Sequence, residues 1–162
     1  APSSGGHVNV SPKGPIGSLR VLDGTTVAYL DWVGSGVETI AHLRENGRIV
    51  VMLCAFEGPP RIVRLHGRGT VHEAGTPRFE ELAPAFGLLD RKAAHRAVIV
   101  VELDRISDSC GYGVPLMRYE GERPQMVDWI EAQLRRSPDA LDEYAREHNA
   151  ASIDGLPGLA SR

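Results

Sequence analysis

The chain has 162 residues, 42% hydrophobic and 24% charged, with a formal net charge of −3. That is enough chain for one globular domain with a buried core, and the slightly acidic balance speaks against a dedicated nucleic-acid binder. No apolar run is long enough to span a bilayer and no signal-peptide pattern stands out, so a cytoplasmic protein with no membrane partner is the default expectation.

Residues 1–6 read as a loop that enters a strand candidate, 7–11, with no strand before it to pair with, as in a chain cut from something longer. Residues 19–22 and 25–30 flank Asp23-Gly24, a strong hairpin signal. Ser35 and Glu38 have capping-box spacing, Val37, Ile40, Ala41 and Arg44 follow helical periodicity, and Asn46-Gly47 stops the helix. Residues 49–56 are apolar on both faces and predict a buried central strand; 61–71 alternate and predict a strand with one polar face. Thr76-Pro77 opens a short helix to Phe86, and 97–103 form a second apolar strand followed by a glycine-rich loop, 107–115. An amphipathic helix over 126–136 and a polar one after Ser137-Pro138 precede a glycine-rich tail from Asn149. Short strands with few helices between them predict a mainly β fold with peripheral helices, an antiparallel barrel. Residues 1–125 form the barrel and 126–162 add C-terminal helices and a tail to the same domain.

Two segments carry the chemistry. Asn9-Val10-Ser11-Pro12-Lys13-Gly14 sets a hydroxyl, a lysine and a glycine around a turn, and Gly34-Ser35-Gly36-Val37-Glu38-Thr39 opens a helix with small residues. A fixed lysine and a helix N-terminus with free N–H groups are two devices for holding a phosphate. Residues 26–30 form the strand that brings them together. Ser35 is read as the helix cap. Glu38 competes with a dianion for the positive end of the helix, and is read first as a capping residue.

The order Asn-Val-Ser-Pro-Lys-Gly, hairpin, Tyr29-Leu30-Asp31, Gly-Ser-Gly-x-Glu-Thr, Asn46-Gly47-Arg48 and the run 61–68 resembles the pyridoxamine 5'-phosphate oxidase-like family of flavin-binding split β-barrels. The resemblance covers most of 9–71 and returns at 97–115. It implies an antiparallel Greek-key split barrel and a homodimer with FMN in the groove between subunits. It further implies that the strand carrying Ser11 and Lys13, and the turn and helix start carrying Ser35 and Thr39, hold the flavin phosphate, with Asn9 and Pro12 also binding the cofactor. Tyr29, Leu30 and Asp31 match the strand that passes the ribityl chain, and Arg61 stands where a neighbouring strand borders the flavin. Members that oxidise pyridoxamine phosphate carry an Arg-Lys pair where this chain has Glu38-Thr39, and a glutamine where it has Ile62. The resemblance therefore implies the fold and a flavin more than vitamin B6 oxidation.

The remaining residues have plainer readings. His42, His66, His72 and His95 lack chelate spacing and no metal is expected. Cys54 and Cys110 form no C-x-x-C pair; Cys54 reads as a small core residue, and the glycines around Cys110 as a close approach to a ligand or a partner subunit. Trp32 and Trp129 are too few for a base-stacking platform and pack cores or an interface. The expected function is flavin-mediated hydride or electron transfer to a small-molecule substrate, with NAD(P)H as a candidate donor. A non-catalytic flavin- or haem-binding barrel and a deazaflavin-dependent reductase are the alternatives, and no catalytic side chain is assigned.

Overall fold

The computed structural model describes Pro2 and residues 5–160; Ala1, Ser3 and Ser4 of the expected N-terminal loop, and Ser161 and Arg162 of the tail, lie outside the described residues. The elements are β1 (Leu19–Val21), β2 (Thr26–Trp32), α1 (Glu38–Asn46), β3 (Arg48–Cys54), β4 (Arg61–Glu73), α2 (Pro77–Leu82), β5 (His95–Cys110), α3 (Gln125–Arg136) and α4 (Ala140–His148). Two 3₁₀ segments, Ala83–Phe86 and Leu89–Ala94, link α2 to β5. The strands form one sheet in the order β1-β2-β5-β4-β3, every pair antiparallel. β2 leaves through α1 to the far edge and is met again by β5, which is a Greek-key connection. This is the split β-barrel, open at β1 and β3.

Two cores sandwich β2 and β5. On one face Val27, Tyr29, Ile99, Val101 and Leu65 meet Ile40 and Leu43 of α1. On the other, Ala28, Leu30, Trp32 and Val98 meet Phe79, Leu82 and Phe86, with Ile130 of α3 and Leu141 of α4. Alternate side chains of a strand point to opposite faces, so a strand covered on both sides must be apolar throughout. Each fully buried Val, Leu or Ile contributes about 1.5–3 kcal/mol relative to exposure. At two positions the backbone requires glycine. Gly47 ends α1 in the left-handed region (φ 72°), and at Gly67, beside a register shift in β4, a Cβ would sit 2.1 Å from the Glu102 carbonyl oxygen.

Several elements differ from expectation. Residues 7–11 form no strand. β3 is an edge strand, not a central one: it pairs only with β4, and Val50 and Met52 are 50% and 56% exposed. An apolar run on both faces does not distinguish a covered strand from an edge whose outer face is bare. Cys54, at its end, is half-buried rather than a core residue. β5 runs on to Cys110, so Ser107–Cys110 of the expected loop pair with β4 instead. Gly111 approaches the chain's own backbone, where a Cβ would lie 2.6 Å from the Arg61 nitrogen. Thr76 caps α2, its hydroxyl accepting from the Phe79 N–H, with Pro77 at the first turn. α4 starts later than expected, after Asp139. No helix among the described residues is long and apolar enough to cross a membrane.

Candidate functional site

Residues 7–17 run without regular structure, and side chains rather than a sheet ladder fasten them. The His7 N–H donates to Asp154 Oδ2 (2.7 Å), Asn9 Nδ2 to Thr39 Oγ1 (2.8 Å), Lys13 Nζ to Asp31 Oδ1 (2.9 Å), and the Ile16 N–H to Glu122 Oε1 (2.7 Å). The segment thereby lies over the end of β2 and the start of α1. Between them is a cleft of about 230 Å³ lined by Asn9, Ser11, Pro12, Lys13, Asp31, Ser35 and Thr39, with Arg96, Glu38 and the glycines 14, 34 and 36.

Asp31 is the hub of this cleft. It is 3% exposed and accepts from Lys13 through one oxygen and from Arg96 Nε (2.9 Å) through the other. Arg96 is itself buried and donates through Nη1 to Asn149 Oδ1 (3.1 Å), while Asn149 Nδ2 donates to the Gly34 carbonyl (2.9 Å). The chain of contacts thus runs from Lys13 through a buried carboxylate and guanidinium to the loop that enters α1. A lysine ammonium has three donors; Asp31 takes one and orients the others. Lys13 Nζ also stands 5.8 Å from the centre of the Tyr29 ring. Burial, and then the Asp31 charge, push the Tyr29 phenol far above its ordinary value, so it stays protonated.

The helix start departs from expectation. Ser35 is not the cap: Val37 occupies that position, and no side chain among the described residues caps the helix. Uncapped first-turn N–H groups need another acceptor, and they border the cleft beside Gly36 and Thr39. Glu38 lines the cleft: its Oε1 accepts from the Ile153 N–H of the C-terminal tail (3.4 Å), while its Oε2 lies over Gly36 beside the helix start, where the charge competes with a bound anion.

Seven of the ten sequence candidates therefore converge, and three do not. Tyr29 and Leu30 are buried in the two opposite cores. Arg61 lies at the other end of β4, its side chain exposed, with Asp108 at 3.8 Å as its ionic neighbour. Sequence reasoning missed Arg96 and Asn149. The signal for Arg96 was a lone arginine heading an apolar strand, because a charge so placed needs a buried partner. Asn149 left no signal, since its place depends on the tail folding back on the barrel.

No family model matches the chain. The chain is 42% identical over 174 aligned positions to a protein of Aspergillus flavus called pyridoxamine 5'-phosphate oxidase family protein ustO, covering 99% of this chain and 69% of that one. Among solved structures it is similar to HupZ of Group A Streptococcus (TM-score 0.45, 21% identity, 56% of this chain and 68% of that one). An alanine variant of HupZ gives a TM-score of 0.47 at 22% identity, covering 57% and 73%. By its identity and coverage against the Aspergillus protein, the chain belongs to the pyridoxamine 5'-phosphate oxidase family.

Proposed function

We propose that the cleft takes the phosphate end of FMN and that the protein is a flavin-dependent oxidoreductase, working as a homodimer on a small-molecule substrate. The observation that carries this reading is the convergence of Lys13, three hydroxyl side chains and an uncapped helix start around one cleft, with Asp31 and Arg96 fixing the lysine from behind. Family membership supports it. The donor set fits a phosphate: Lys13 has ammonium protons to spare, Ser11, Ser35 and Thr39 offer hydroxyls, and the start of α1 borders the same cleft. At about 230 Å³ the cleft is smaller than the roughly 300–1,000 Å³ of a whole small-molecule site. It suits the phosphate and the adjoining ribityl chain, with the ring lying beyond it in a groove that a second copy completes. Val50, Met52 and Phe56, exposed and apolar, provide surface for that copy.

Bound flavin would supply the hydride or electron chemistry. The chain's own part is to neutralise the phosphate through Lys13, to hold that lysine through Asp31, and to present the loop at Gly34 through Asn149. The test is a visible spectrum and mass analysis of the small molecule that copurifies, then addition of NADH or NADPH. A flavin spectrum that bleaches on reduction and returns in air is expected. A purified protein that takes up neither FMN nor riboflavin contradicts the reading.

A further inference from the structure

A second, wider cleft of about 640 Å³ adjoins the first and shares Lys13, Gly14, Trp32 and Met126 with it. Ile16, Leu19, Trp32, Met126 and Val127 give it a mainly apolar wall. From residues 111–124, which carry no helix or strand until α3 begins, Tyr119, Glu122 and Arg123 line it, and this segment is fixed at three points. Glu57 Oε1 accepts from the Tyr119 N–H (2.7 Å), the Met117 N–H donates to the Phe56 carbonyl (2.9 Å), and Glu122 accepts from Ile16 across the cleft. The cleft is therefore built, not left open by a loose loop. Arg123 lines it and forms no ion pair among the described residues, while the neighbouring Glu122 accepts the Ile16 N–H through one carboxylate oxygen.

We infer that this second cleft is a binding site for a flat, apolar small molecule carrying one acidic group, the apolar body against Ile16, Trp32 and Val127 and the acid toward Arg123. Its volume lies within the range of small-molecule sites. The site stands on its own geometry; only its role, as the chamber where a substrate meets the cofactor of the first cleft, rests on the flavin reading.

Two fluorescent probes of the same shape test it: anilinonaphthalene sulfonate, which is anionic, and N-phenylnaphthylamine, which is neutral. Both should bind the wild-type protein. Arg123→Glu should weaken the sulfonate about tenfold and leave the neutral probe unchanged, the change expected when a favourable surface charge becomes an unfavourable one. Ile16→Trp, a change at an exposed position, should weaken both probes. FMN titration should be the same in all three proteins. Absence of probe binding, or equal binding to all three, overturns the proposal, the latter because the probes then sit elsewhere, as on the bare face of β3. Loss of FMN in Ile16→Trp also overturns it, since the cleft would then belong to the cofactor. If FMN fails to bind while the probes behave as expected, the flavin reading falls and the second site stands.

Discussion

Val98 and Ile99, in the first half of β5, are wholly buried, whereas Ile106, further along the same strand, is 58% exposed. Strand propensity does not separate them, because both halves pair with β4. What differs is the cover. The first half lies between β2 and β4, with α1 on one face and the helical elements on the other. The second half has β4 beside it, with β3 beyond β4, where Val50 and Met52 are also exposed but on the opposite face of the sheet from Ile106. One strand thus carries buried core side chains at one end and an exposed apolar side chain at the other. The ion cluster belongs to the stable end, where Asp31 pairs with Ala97 in the ladder.

The largest effect expected follows from that cluster. Asp31→Ala strands the buried Arg96 without its carboxylate and should cost about 3–5 kcal/mol in chemical denaturation. The next contrast tests the two halves directly: Ile99→Ala should cost about 2–5 kcal/mol, as for a large-to-small change in a packed core. Ile106→Ala should cost under about 0.5 kcal/mol in the monomer, as at an ordinary surface site. Met52→Glu should leave monomer stability near wild type while shifting sedimentation from dimer to monomer. Equal costs for the two isoleucines would remove the distinction between the halves.

Much of the stable half was legible, because its devices are local. Asp23-Gly24, Asn46-Gly47 and Thr76-Pro77 each punctuate the chain by their own backbone chemistry, and the structure places a hairpin, a helix end and a helix start there. The start of α1 was misjudged because Ser35 and Glu38 have the spacing of a cap while Val37, buried at 1%, anchors the first turn in the core instead. Packing overrode a local hydrogen bond. Residues 49–56 were misjudged for a similar reason: sequence shows that a face is apolar and does not show what covers it. In the site, Asn9, Ser11 and Lys13 were legible as a motif. Arg96 and Asn149 were not, as their meeting joins residues 53 positions apart through the returning tail.

Two smaller effects sharpen the picture around α1. His42 is 2% exposed with neither ring nitrogen hydrogen-bonded among the described residues, and burial holds its pKa below the ordinary value near 6.5, outweighing the nearby carboxylates of Glu45, Asp154 and Glu38. The folded state therefore resists protonation. The stability this gives is complete above about pH 6.5 and is lost as pH falls through the lowered folded value. His42→Leu should make the decline of stability on acidification shallower, measured by denaturation between neutral and mildly acidic pH. Smallest is Glu38→Gln, which removes a negative charge beside the cleft. FMN affinity should rise by a few tenths of a kcal/mol at low salt, and by less at high salt.

The central claim, that Lys13 neutralises a flavin phosphate in this cleft, is tested most directly by titrating wild-type and Lys13→Ala protein with FMN and with riboflavin. The account predicts that the substitution weakens FMN by about 1.5–3 kcal/mol, one charge-assisted hydrogen bond, and leaves riboflavin, which lacks the phosphate, unchanged. Equal losses for both ligands would contradict it, placing Lys13 in the support of the fold through Asp31 and the phosphate elsewhere.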